Sequence, residues 1–109
     1  MPNGRVCFLL RLRPDHVEEY VAAHEQVWPE MLDALRRHGW RDYSLFVHRA
    51  EALVVGVVTC DDFAGSLTAM DAEPVNARWQ AAMARHVLSP TGSRPDEGVE
   101  RLTEYFHLA

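Results

Sequence analysis

From Arg5 to Leu12 (RVCFLLRL), Val6, Phe8, Leu10 and Leu12 alternate onto one face, while Cys7 and Leu9 make the other face largely apolar too. This pattern predicts a strand buried on both sides. Pro14-Asp15 breaks it, and Asp15 with Glu18 three residues later reads as an N-cap and capping box. The period then changes. Val17, Tyr20, His24, Trp28, Met31, Leu32 and Leu35 recur at spacings of three and four, predicting an amphipathic helix from about His16 to His38. Pro29 falls inside it, where a proline costs about 3 kcal/mol, so a kink or short break is expected near Trp28. Gly39 ends the helix, with Arg36, Arg37 and His38 in its last turn suiting the dipole.

Asp42 to His48 (DYSLFVH) alternates again, with Tyr43, Leu45 and Val47 facing one way and Ser44, Phe46 and His48 the other. Leu53 to Cys60 (LVVGVVTC) is apolar on both faces, and the short Arg49–Ala52 connection makes the two strands a hairpin. Asp61-Asp62 caps a helix from Phe63 to about Met70, and Pro74 starts another piece to about Val87. Ser89 to Gly98 reads as a loop and Leu102 to Leu108 (LTEYFHL) as a final strand. The order β-α-β-β-α-β predicts an α+β, ferredoxin-like domain spanning residues 1–109. Helices cover only one face of such a sheet, yet its first and third strands are apolar on both. The second face needs a cover, and in so short a chain a second copy is expected: a homodimer, two sheets packed face to face.

Composition narrows the function classes. The chain has 109 residues, 48% hydrophobic and 25% charged, the balance of a soluble globular domain. Eleven basic residues, all scattered arginines, stand against sixteen acidic ones for a net charge of −5, so no nucleic-acid partner is expected. No run reaches the roughly 18–20 apolar residues of a membrane span, and the short apolar start does not suit a signal peptide. A cytoplasmic protein with no membrane partner is the expectation. Cys7 and Cys60, each inside a strand-like run, read as reduced buried thiols.

Three groups of residues carry candidate chemistry. Tyr20, His24 and Trp28 at i, i+4 and i+8 share one helix face. They form either a packed aromatic face with one satisfied histidine or the wall of a polar pocket in which an imidazole titrates near neutrality. Tyr43 is either a core tyrosine or a pocket phenol. Asn76, Trp79 and Gln80 fall within one helical turn, where an indole can stack on a sugar's C–H face while amides bind hydroxyls; the alternative is one buried Trp with solvated neighbours. No metal is expected. His24 and His38 are not at ligand spacing, His16 and His24 have no carboxylate paired between them, and His48, His86 and His107 lie in other segments. Dinucleotide, nucleophile-elbow and phosphate-loop motifs are missing.

Five segments in order then carry a resemblance: Glu18-Glu19-Tyr20 with His24; Val27-Trp28-Pro29-Glu30-Met31; Gly39-Trp40-Arg41-Asp42-Tyr43-Ser44-Leu45-Phe46; Pro74-Val75-Asn76-Ala77-Arg78-Trp79-Gln80; and Glu104-Tyr105-Phe106-His107-Leu108. Together they make the chain similar to the L-rhamnose mutarotase family over essentially its whole length. The resemblance implies a dimeric α+β barrel enzyme that interconverts the anomers of L-rhamnose or a related 6-deoxy sugar. It implies the active-site acid at His24, sugar-contacting tyrosines at Tyr20 and Tyr43, and an aromatic-rich pair at Trp79-Gln80, where some members carry two tryptophans. Such chemistry needs no cofactor: protons move at the ring oxygen and the anomeric hydroxyl, the ring opens, and it recloses on the other face. The same barrel could instead host a cofactor-free oxygenase or lyase, or a binding module with no need of His24.

Overall fold

Alternation does set the strands: β1 (Arg5–Arg11), β2 (Arg41–His48) and β3 (Leu53–Thr59) form where it predicts them. A short β4 (Glu100–Leu102) completes the sheet. The structure, a computed structural model, describes residues 4–88 and 99–109, so the expected 89–98 loop lies outside the described residues. The strand order is β2-β3-β1-β4 with every neighbouring pair antiparallel. This is the ferredoxin-like arrangement, with β3 inserted between β1 and β2.

The predicted long helix is broken. A 3-10 turn at Pro14–His16 leads into α1 (Val17–Ala23), a second turn covers His24–Gln26, and α2 runs from Pro29 to Arg37. Pro29 sits at the start of α2, and Trp28 before it is extended (φ −57°, ψ 134°), as a residue preceding proline prefers. The break expected near Trp28 is therefore real, although it begins earlier, at His24. Gly39, at φ 89°, ends α2 in the left-handed region that glycine tolerates. The capping box at Asp15 does not form: Asp15 lies inside the first 3-10 turn, and no side chain caps it or α1. Asp62 does cap α3 (Phe63–Asp71), accepting from the Gly65 N–H at 3.0 Å, and Pro74 opens α4 (Pro74–Met83).

All four helices pack on one sheet face. Leu10, Leu12 and Val54 from the sheet side meet Val17, Tyr20, Met31, Ala34, Met70, Val75, Trp79 and Met83, while Val6, Phe8, Val58 and Phe63 form a second cluster. Gly56 pairs with Phe8, and a Cβ there would lie 2.3 Å from Phe8 Cζ, so the glycine is what lets the Phe8 ring cross β3. On the opposite face, register aligns Cys7 with Val57 and Ser44, and Leu9 with Val55 and Phe46. Among the described residues no helix covers these rows, and Phe46 is 60% exposed. The final strand is a correction. Pairing stops at Leu102, and residues 103–109 run on without regular structure, with Tyr105, Phe106 and Leu108 exposed. Among the described residues, this apolar tail pairs with no strand beyond Leu102.

Candidate active site

The early end of α1 builds the central residue. A helix terminus leaves its last carbonyls without intrahelical partners. His24, at the C-cap, turns its ring back so that Nδ1–H donates to the Tyr20 carbonyl at 2.9 Å. A carbonyl only accepts, so the Nδ1 proton is fixed and Nε2 is the nitrogen that titrates. Burial lowers the His24 pKa from its ordinary value, and the Tyr20 carbonyl pulls it back in part.

Around His24 the helices bring the other predicted residues. The Tyr20 ring lies 4.5 Å from the imidazole centroid. Trp79, projected from α4, meets the imidazole edge-on at 5.3 Å, and Trp28 packs edge-on against Trp79 at 5.1 Å. Trp28 is thus a buttress for Trp79. One helical turn orders the amides: Asn76 Nδ2 donates to the Met70 carbonyl at 3.2 Å, and Gln80 Nε2 donates to Asn76 Oδ1 at 3.1 Å. Both side chains are buried.

Tyr43 enters from β2 within an irregularity in its register with β3, between Arg41 and Ser44, where Asp42 takes φ 49°. Burial pushes the Tyr20 phenol up to about 12; the Tyr43 phenol is raised as well, by desolvation of its hydroxyl end and by the neighbouring Tyr20. Both are neutral hydrogen-bonding groups at pH 7. Tyr43 retains 37% of its surface, and it lines the cavity described next.

Tyr20, His24, Tyr43, Trp79 and Gln80 all line one cavity of about 400 Å³. That is a size suited to a small ligand. The sequence reading missed its other aromatic residues, Phe8, Trp40 and Phe63. Trp40 stacks edge-on to Tyr43 at 4.8 Å and lies 5.3 Å from Phe63, while its Nε1–H donates to Ser66 Oγ on α3. The contacts of Trp40 with Phe63 and Ser66 join residues more than 20 apart, so no local spacing announces them. The cavity offers one imidazole lone pair, two neutral phenols, ordered amides and several ring faces. It can bind a small polyhydroxylated molecule and exchange protons with it at one point.

A model of the L-rhamnose mutarotase family matches residues 5–108. The chain belongs to this family. An L-rhamnose mutarotase of Jannaschia sp. (strain CCS1) is 31% identical over 106 residues, covering 95% of this chain and 97% of that protein. One from Mesorhizobium japonicum is 29% identical over 109 residues, the full length of both. The crystal structure of an L-rhamnose mutarotase from Formosa agariphila superposes with a TM-score of 0.78 at 21% identity, covering 96% of this chain and 98% of that one, and so shares its fold. Membership in the mutarotase family gives the cavity a substrate class to be tested against: a monosaccharide.

Proposed function

We propose that the protein is an isomerase interconverting the α and β anomers of L-rhamnose or a related 6-deoxy sugar, with His24 as its proton-transfer residue. The observation that carries this reading is the fixed tautomer of His24 inside a sugar-sized cavity of a mutarotase-family chain. The anomeric hydroxyl and the ring oxygen are bonded to the same carbon, so one nitrogen can serve both. Nε2 takes the proton from the anomeric hydroxyl. The resulting oxyanion collapses to a carbonyl as the C1–ring-oxygen bond breaks, and Nε2–H delivers the proton to the departing ring oxygen. Rotation about C1–C2 and the reverse sequence close the ring on the other face. Each cycle returns the imidazole to its neutral form, and no cofactor takes part. A lowered pKa favours the neutral imidazole that starts the cycle. Tyr20, Tyr43 and Gln80 hold hydroxyls, and Trp79 offers a face for the sugar's C–H groups. The oxygenase or lyase and the binding-module alternatives are not favoured by the family match. Saturation-transfer proton NMR of L-rhamnose tests the activity: enzyme should accelerate anomer exchange over buffer, and an unchanged rate would refute it.

Two further readings belong with this one. The uncovered face of Cys7, Leu9, Val55, Val57 and Phe46, with an apolar tail in which Tyr105 is 97% exposed, supports a homodimer with two sheets face to face. Light scattering should give twice 12.4 kDa at micromolar concentration; a mass of 12.4 kDa would overturn it. Free thiols at Cys7 and Cys60 suit a reducing compartment and support a cytoplasmic location. Among the described residues, no helix is long and apolar enough to cross a membrane.

A further inference from the structure

Outside the cavity, the fold brings together three groups that the sequence keeps apart. His16 ends the 3-10 turn before α1, Glu19 follows one helical turn later on the same side, and His86 ends a 3-10 turn, Ala84–His86, after α4. The backbones of these two regions are locked together. The Arg13 N–H donates to the His86 carbonyl at 2.9 Å, the Leu88 N–H donates to the Arg11 carbonyl at 2.9 Å, and Leu12 bridges Val87. His16 Nδ1 lies 3.0 Å from His86 Nδ1, and ligand atoms of His16, Glu19 and His86 all fall within 4.8 Å of one another. The expectation that no histidines share a ligand set does not hold here, because it weighed spacing along the chain and not across the fold.

We propose that His16, Glu19 and His86 form a binding site for a divalent transition-metal ion of the zinc, cobalt or nickel class. The nitrogen separation fits. Two ligands at about 2.0–2.1 Å from a metal, subtending roughly 90–109°, lie about 2.9–3.4 Å apart. Two nitrogens and one carboxylate select borderline ions over magnesium or calcium, which prefer all-oxygen sites. Access is present: His86 is buried and holds the site from below, while Glu19 is exposed and its flexible side chain can close the remaining distance. His16 Nε2 lies 4.0 Å from Asp15 Oδ1, beyond hydrogen-bond distance but close enough for the exposed carboxylate to swing in and orient a metal-bound imidazole.

Without metal, Arg85 Nε donates to His86 Nε2 at 3.3 Å, so His86 carries its proton on Nδ1 and donates it to His16. Coordination through Nδ1 moves that proton to Nε2 and turns Arg85, which is exposed, toward solvent. The site is separate from the catalytic cavity but touches it, since the His86 ring meets the Tyr20 ring edge-on at 6.3 Å.

The test is calorimetric titration of the untagged, chelator-treated full chain with zinc chloride, together with visible absorption on adding cobalt. The expected result is one ion per chain, a cobalt d–d spectrum, and affinity lowered about tenfold or more in both His16→Asn and Glu19→Gln. These two ligands are outside the core, so the variants should fold; circular dichroism checks this. Anomer exchange should be the same before and after chelation, so failure of metal binding leaves the mutarotase reading untouched. No binding to wild type, or equal binding by folded His16→Asn and wild type, would overturn the site. So would loss of binding in His38→Asn, since that would place the ion elsewhere.

Discussion

The two walls of the cavity are built by different means. On the α1/α4 wall, each helix supplies its residues from within about one turn: Tyr20 and His24 from α1 and its C-cap, Asn76, Trp79 and Gln80 from α4. On the opposite wall, Phe8, Trp40, Tyr43 and Phe63 come from β1, the α2–β2 junction, β2 and α3. The Trp40–Ser66 hydrogen bond and the gap left by Gly56 hold that second wall in place. The first wall carries nearly all of the proposed chemistry, and the second mainly fixes the shape. Chemistry is thus encoded by local periodicity, and shape by contacts distant in sequence.

Substitutions should expose this division. The largest effect is expected at Trp79, which is 7% exposed and packed against Trp28 and His24. Trp79→Ala should cost about 3–5 kcal/mol of stability. A loss below about 1 kcal/mol in urea denaturation would mean that the α1/α4 wall collapses without penalty. Gly56→Ala comes next. Its Cβ falls against the Phe8 ring, so the ring must move, at about 1–3 kcal/mol. Sugar binding should weaken while the acid limb of the rate profile stays in place, because only shape has changed; unchanged stability would show that Phe8 has room to spare. Trp79→Phe keeps a ring face and should raise KM with little change in kcat, as expected for uniform binding. A fall confined to kcat would instead put Trp79 in the chemical step.

The smallest expected effect is a displacement along the pH axis. His24 is held below its ordinary 6.5, so the neutral imidazole survives to lower pH than in a free histidine. Exchange should be flat above pH 6.5 and fall as pH drops through the lowered value. A midpoint above 6.5 in the rate profile would contradict burial as the dominant influence on this ring.

The same division explains what the sequence disclosed. Strands β1 to β3, the break before Pro29 and the Asp62 cap follow from alternation, proline geometry and a short side-chain acceptor, all local causes. Tyr20 and His24 were legible because four residues is one helical turn. Trp40 and Phe63 were not, because their neighbours arrive from other elements. Asp15 failed as a cap because the chain first makes a 3-10 turn, which draws it inside. The tail from Thr103 has a strand-like pattern, but a strand also needs an edge to pair with, and the described chain pairs only through Leu102. His16 and His86 are 70 residues apart, and only the closing of the sheet against α4 makes them neighbours.

The central claim is that Nε2 of His24 moves the proton that opens the ring. Saturation-transfer NMR of L-rhamnose anomer exchange with His24→Asn tests it most directly, since Asn keeps a small polar side chain at the end of α1 but has no titrating nitrogen. With the fold confirmed by circular dichroism, the rate should drop roughly 10²-fold or more, the contribution typical of one general acid–base group. A folded His24→Asn that exchanges anomers at the wild-type rate would contradict the assignment and move the proton transfer to Tyr20 or Tyr43.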